Sequence, residues 1–313
     1  MGRRDERGDD TAALANVSRA REPRVASSTT KATREERRGA ARDERRRTEA
    51  PGRSKERAKT PSKRLVAPSA EEMLRRALLA PTPRSRALWA RRGLSLRCPL
   101  DASTQAMLLR QLYLAYYEER RFERAAEVAA QTVELGVLLD VAHQDVARAL
   151  QALGDIEGAL GHLRLAVRTG PPSRRAFHYW TLGSALHLDR RYDEAIAALT
   201  RAIRWGTTDK ALYLGHVAAI QCERGKRVRN LRALITQLAE VPAGHGYGRF
   251  VLGLLAFHDK QWTEAREYLE AFIQRSTTGR MALAIALEGE VARARETLAL
   301  LPKDGEPVPA SHR

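Results

Sequence analysis

Residues 119–136 read ERRFERAAEVAAQTVELG, and residues 189–206 read DRRYDEAIAALTRAIRWG. The two stretches state one phrase: a charged turn, an aromatic residue, two more residues, an alanine, then an amphipathic helix ending in glycine. A phrase that recurs at a fixed interval limits the fold more than any composition figure does, because such self-similarity marks an array built from one small unit. Aligning on the alanine and the aromatic or aliphatic residue three places before it adds two copies. The four pairs are Phe122/Ala125, Ile156/Ala159, Tyr192/Ala195 and Trp262/Ala265. The alanines are 34, 36 and 70 apart, and the last interval is twice 35.

A second amphipathic stretch precedes each phrase: LRQLYLAYYEE, HQDVARALQAL, YWTLGSALHLD and FVLGLLAFHDK. Each period therefore reads helix, tight turn, helix. One such pair cannot bury its apolar face, whereas a stack of pairs can. The alanine is expected where the two helices cross most closely, and the preceding aromatic is expected to fill the space at the turn. From Ser69 onward the apolar period is helical and no strand-like alternation stands out, which makes the fold class all-α. SAEEMLRRALLA starts on a capping-box pattern, Ser69 then Glu72, and Pro81 and Pro83 stop that helix. PRSRALWARRGLSL supplies a second helix, so residues 68–105 form an atypical first pair.

Residues 106–279 form the array, with units 106–139, 140–173, 176–209 and 246–279 and a degenerate unit at 210–243. In the degenerate unit ALYLGHVAAIQCERG is a credible first helix, but RVRNLRALITQL carries Arg229 where the crossing alanine belongs. The glycines of GHGYGRF, Gly244, Gly246 and Gly248, read as a flexible joint after it; an anion held by free amides at the following helix start is the alternative. Residues 280–302 read as capping helices, with Gly289 aligned to Gly154 and Ala294 to the crossing alanine, and 303–313 as a flexible tail.

The pattern resembles the tetratricopeptide (TPR) repeat, whose signature is W-x2-L-G-x2-Y, then A-x3-F, then P. In residues 176–209, Tyr179 stands at the tryptophan place, followed by Leu182, Gly183, Leu186, Ala195, Leu199 and Ala202. Trp180 is one place late, and Thr207 replaces the closing proline. Residues 140–173 match through Val146, Ala147, Leu150, Gly154, Ala159, Leu163, Ala166 and Pro171. Residues 106–139 match through Leu112, Tyr116 and Ala125, and residues 246–279 through Leu252, Gly253, Ala265 and Leu269. The resemblance spans about 230 of the 313 residues. It implies a right-handed solenoid of helical hairpins whose first helices line a concave groove that holds a peptide or protein segment.

The groove-facing places of the TPR unit then fall on Arg110, Tyr117, Gln144, Arg148, Gln151, Phe177, Trp180, Ser184 and His187, and farther along on Tyr247, Phe250 and Phe257. Aromatic and arginine side chains suit anchoring. Phe250 and Phe257 have a second reading as filler between repeats. Some TPR domains clamp the acidic C-termini of chaperones with Lys, Asn and Arg. Here the asparagines are Asn16 and Asn230, and neither falls at a clamp place, although Arg110 and Arg148 remain suited to a partner's carboxylates.

The net charge of +17 is unevenly spread: residues 1–67 hold 20 Lys and Arg against 11 Asp and Glu. REERRGAARDERRR and its surroundings cannot bury enough apolar area to offset chain entropy, so 1–67 reads as a disordered Arg-rich tail. Such a tail suits weak contact with nucleic acid or an anionic surface, and equally a solubilising role. Arginine exceeds lysine 47 to 8, as a GC-rich genome or selection for phosphate and carboxylate binding would each produce. The two cysteines, Cys98 and Cys222, are expected in helices and reduced. With no secretory h-region and no membrane-length apolar run, the chain reads as a soluble, cytoplasmic, bacterial protein.

No nucleophile elbow, phosphate loop or zinc-binding His-Glu-x-x-His occurs, and the eight histidines are scattered. His178 and His187 are nine apart, on opposite sides of a helix. The reading is a scaffold with no catalytic residues, no metal and no cofactor. Its alternative is a nucleic-acid-associated protein that binds through the basic tail while the solenoid positions it.

Overall fold

Five helices end in the same hydrogen-bonded turn: α3 (Ala102–Glu118), α5 (Leu139–Leu153), α7 (Pro172–Leu188), α9 (Lys210–Glu223) and α11 (Gly248–His258). After each, one residue turns left-handed: Arg120 (φ 56°), Gly154 (83°), Arg190 (58°), Gly225 (70°) and Lys260 (62°). The amide of that residue donates to the carbonyl three back, and the next amide donates to the carbonyl five back. Arg120 N–H thus reaches Tyr117 O and Arg121 N–H reaches Tyr116 O, and the pair of bonds recurs at the other four turns. This is the Schellman cap, which satisfies carbonyls that a helix end leaves open. The caps are 34, 36, 35 and 35 residues apart.

In four units the second helix starts two residues after the left-handed one: α4 (Phe122–Glu134), α6 (Ile156–Thr169), α8 (Tyr192–Trp205) and α12 (Trp262–Thr278). Ala125, Ala159, Ala195 and Ala265 follow, each with 0% of its surface exposed. Leu182 and Leu252 are buried alongside. A Cβ on Gly183 would lie 2.7 Å from Leu199 Cγ, and one on Gly253 would lie 2.5 Å from Leu269 Cγ. First and second helices therefore touch at these glycines, and a larger residue would hold them apart. Each first helix also packs on the second helix before it, α4 on α5, α6 on α7 and α8 on α9.

The computed structural model describes residues 69–302, which hold fourteen α-helices, one short 3-10 turn and no strand. The readings of 1–67 as a disordered basic arm and of 303–313 as a flexible tail lie outside the described residues. Among the described residues, no helix is long and apolar enough to cross a membrane.

At the start of the stack, α1 (Ala70–Leu78) and α2 (Pro83–Leu94) pack on each other and on α3. Ser69 Oγ accepts the Glu72 amide, but the Glu72 carboxylate turns to Arg75 and Arg76, so only half of the expected capping box forms. The full box sits at α2, between Thr82 and Ser85. Cys98 is exposed coil rather than helix: it precedes Pro99, which disfavours the helical region for the residue before it. Cys222 lies in α9.

The degenerate unit keeps its first helix and its cap but delays its second. Helix α10 (Leu231–Glu240) starts six residues after Gly225. Arg227, exposed, stands where the other units place Phe122, Ile156, Tyr192 and Trp262. Counted from the cap, Asn230 rather than Arg229 holds the crossing-alanine place; it is itself left-handed (φ 58°) and outside the helix. With Arg227 in the anchor's place, the apolar contact falls to Val228 one residue later, and helix forms only once Leu231, Leu234 and Leu238 supply an apolar side. The glycine-rich corner after it is closely packed: a Cβ on Gly244 or Gly248 would lie 2.0 Å from the carbonyl oxygens of Leu238 and Ala243 respectively.

Two helices close the chain, α13 (Met281–Ala286) and α14 (Glu288–Ala299). Helix α14 packs on α11 and α12, as the first helix of one more unit would. Helix α13 instead lies against α3 and α5. The segment expected to cap the last pair thus also reaches the first two units. Ile285 is buried in one apolar cluster with Tyr113, Tyr117 and Val146, and Arg120 pairs with Glu288.

Candidate recognition face

First helices bury one side against their partners and leave polar side chains on the other. Along α3 and α5, Arg110 Nε lies 3.1 Å from Asp145 Oδ2, and Arg148 lies 3.6 Å from Asp145 Oδ1. Tyr113 and Tyr117 stack at 5.6 Å beside them. Burial pushes the Tyr117 phenol up to about 12, with Arg148 pulling the other way. Between α5 and α7, His178 is held at both ring nitrogens, Nε2 at 2.8 Å from Asp140 and Nδ1 at 2.9 Å from the Gln144 amide. Arg174 joins the same carboxylate at 3.2 Å. Burial works against a charge on Asp140, but the His178 hydrogen bond and the Arg174 charge outweigh it, and its pKa falls below the ordinary value.

Farther on, Trp180 meets the edge of Tyr247 at 4.8 Å and lies 5.7 Å from Phe177. His187 Nδ1 is 2.9 Å from His216 Nε2, and His187 Nε2 is 3.1 Å from Glu223. Burial drives His216 well below the usual imidazole range, helped by the His187 charge. Helix α14 completes this cluster: Arg293 pairs with Glu223 at 3.2 Å, and the Tyr247 hydroxyl donates to Glu290 at 3.3 Å. Burial pushes the Glu290 carboxyl up to about 7. On Glu223 burial acts upward too, but the hydrogen bond and charge of His187 and the charge of Arg293 win, and the net shift is downward.

Of the residues expected to line a groove, Tyr117, Gln144, Ser184 and His187 are buried, while Arg110, Arg148, Gln151, Phe177 and Trp180 are half-buried. Phe250 is core, at 0% exposure, and Phe257 is half-buried against Trp262. Arg110 and Arg148, expected to await a partner's carboxylates, share Asp145 of their own chain. Sequence reasoning passed over Asp140, Asp145, His216 and Glu223, and also Ile285, Glu290 and Arg293, which cover the face from the C-terminal side. For the first two the sequence shows only that Asp140, His143, Gln144, Asp145 and Arg148 share one arc of the helix, opposite Ala142, Val146, Ala149 and Leu150, as on a one-sided surface helix, and nothing local says that this arc is covered.

Among the described residues, six buried side-chain polar atoms have no hydrogen-bond partner: Tyr113 Oη, Asp145 Oδ1, Trp180 Nε1, Ser184 Oγ, His216 Nδ1 and Glu223 Oε1. All six belong to first helices, α3, α5, α7 and α9. Among the described residues no three His, Cys, Asp or Glu come together in a way that could hold a metal ion.

No family model matches the chain, and no curated protein matches it. Among solved structures it is similar to a TPR repeats protein from Bacteroides fragilis NCTC 9343, at 13% identity and a TM-score of 0.31, over 74% of this chain and 99% of that one. What decides the fold is the chain's own geometry, five Schellman caps at intervals of 34 to 36 residues with buried alanines at the helix crossings. The fold is TPR-like. In this TPR-like stack the first-helix layer carries the polar clusters, among them Asp145, whose Oδ1 is ion-paired with Arg148.

Proposed function

We propose that the chain is a non-catalytic scaffold that holds a segment of a partner protein against its first-helix face. The observation that carries this reading is the first-helix layer, where Arg110, Arg148, Gln151, Phe177 and Trp180 on α3, α5 and α7 are half-buried, each keeping part of its surface open. Aromatic and arginine side chains of this kind are the usual anchors for a bound segment. The titratable groups there support binding over catalysis, because His178, His187, Asp140 and Glu223 are each engaged by neighbours within the chain. A cytoplasmic setting goes with this reading, since Cys98 and Cys222 are both free thiols. The alternative, attachment to nucleic acid through residues 1–67, rests on charge alone and falls outside the described residues.

The test uses helical and extended segments selected from a peptide display library against the full chain. Trp180→Ala removes an aromatic anchor of the kind that costs about 2 kcal/mol, so affinity should fall roughly thirtyfold with helical circular dichroism unchanged. Arg148→Glu should weaken binding of acidic segments, more strongly at low salt. If both variants bind as the wild type does, recognition lies elsewhere on the molecule.

A further inference from the structure

We infer that the turn of the irregular unit is a socket for one aromatic side chain of another protein, carried on a segment whose flanking residues are acidic. This goes beyond the proposed function, because the socket uses none of the residues that carry that reading.

The repeat itself shows what belongs there. In three units the residue two places after the left-handed cap is aromatic and meets, across the turn, a ring three places before the cap. Phe122 lies 5.5 Å from Tyr117, Tyr192 6.2 Å from His187 and Trp262 5.8 Å from Phe257, centroid to centroid. Counted from Gly225, the same two places in the irregular unit hold Arg227 and Cys222. Arg227 is exposed, so neither ring of the pair is supplied. Val228, one residue later, packs on the core instead, but a valine covers far less surface than an aromatic ring. A hollow of about 590 Å³ remains. Cys222, Val228, Leu231 and His258 line it, each half-buried. Burial pushes the Cys222 thiol up and the His258 imidazole down, so both are uncharged at neutral pH. Asp259, which also lines the hollow, is paired with Arg232 at 2.9 Å. A flat apolar side chain can therefore enter without stranding a charge.

The rim sets the charge of the occupant. Residues 224–239 hold five Lys and Arg and no Asp or Glu. Arg224 pairs with Asp193, and Arg232 with Asp259. Lys226, Arg227 and Arg229 are exposed and have no carboxylate partner among the described residues. Lys226 and Arg227 stand on the hollow itself. Cations left without an internal carboxylate match a segment with Asp or Glu on either side of its aromatic residue, and such complementarity selects the partner and speeds its arrival. The occupant is a peptide rather than a nucleic acid, because Phe122, Tyr192 and Trp262 fill the equivalent place in the other units.

The probe is a fluorescein-labelled peptide, Asp-Glu-Trp-Glu-Asp, titrated into the full chain and followed by anisotropy. The same peptide with alanine in place of tryptophan should bind at least about tenfold more weakly. Arg227→Tyr supplies the missing ring from within the chain and should weaken the tryptophan peptide by at least about tenfold, with helical circular dichroism retained. Lys226→Glu combined with Arg229→Glu should weaken it severalfold and flatten its salt dependence. Bound peptide should slow alkylation of Cys222 and leave the rate at the exposed Cys98 unchanged. If Arg227→Tyr binds the peptide as the wild type does, or if the peptide leaves Cys222 as reactive as before, the inference is overturned. Should Arg227→Tyr lose helix, the alanine peptide and the alkylation of Cys222 decide on the wild-type chain. A labelled oligouridylate that shields Cys222 where the peptide does not would make the hollow a nucleotide site, and the inference falls.

Discussion

At the scale of single residues, the left-handed position after each first helix is filled three times by a side chain that disfavours it, Arg120, Arg190 and Lys260, and twice by glycine, Gly154 and Gly225. A non-glycine residue there costs roughly 1–2 kcal/mol, partly offset by the extra chain entropy glycine loses. Two substitutions should therefore move in opposite directions. Gly154→Ala should destabilise by about 1 kcal/mol or more in urea denaturation, while Arg190→Gly should be neutral or stabilise by up to about 1 kcal/mol. Equal losses from both would mean that the cap geometry is not what these positions select. The crossing alanines make a second residue-scale prediction: Ala195→Leu, at a site with 0% exposure, should cost about 1–3 kcal/mol by overpacking α7 against α8.

At the scale of elements, the late start of α10 and the charge buried under α14 each have a checkable cause. Replacing Arg227 with Tyr and Asn230 with Ala restores the anchor and the small crossing residue, and should extend hydrogen-exchange protection from Leu231 back toward residue 227. No new protection would mean that the seven-residue connection is set by something other than the missing anchor. For α14, Glu290 has its pKa raised from an ordinary 4.5 to about 7. Between those values the folded protein keeps a proton that the unfolded chain releases. Its contribution to stability is thus full below about pH 4.5 and is lost as the pH rises through 7. Glu223, facing Arg293 and His187, is shifted down, so its contribution is present above its ordinary value and lost as the pH falls below it. The segment should grip best in mildly acidic solution. Exchange of α14 amides, corrected for intrinsic rates, should be faster at pH 8 than at pH 6, and Glu290→Gln should erase the difference.

For the described residues as a whole, the contact of α13 with α3 and α5 changes how a repeat array should unfold. An open array is held by nearest-neighbour interfaces and frays from its ends. Here Arg120–Glu288 and Ile285 join the first units to the last segment. The full chain should therefore lose its helices in one steep urea transition. Ile285→Asp should broaden that transition and let α1 to α3 exchange before α7 does. A transition equally steep in both would show that the C-terminal contact adds no cooperativity.

The period, the helix–turn–helix unit and the crossing alanines were set by the sequence alone, because each depends on neighbours within about twenty residues: an apolar stripe, a cap, a small residue opposite another helix. The irregular unit at 210–243 was visible for the same reason, though its register only to within one residue, since the cap that counts it is a backbone conformation. The polar face was legible as a set of places but not as chemistry. Arg110 meets Asp145, and His187 meets His216 and Glu223, across separations of 29 to 36 residues that depend on how successive units rotate on one another. The place of α13 was beyond local reading altogether. MALAIA carries no preference for Tyr113 and Tyr117, and it reaches them only because the stacked units bring α3 and α5 to it. That placement is a sum of small rotations over the stack, a quantity the tertiary structure holds and no stretch of sequence does.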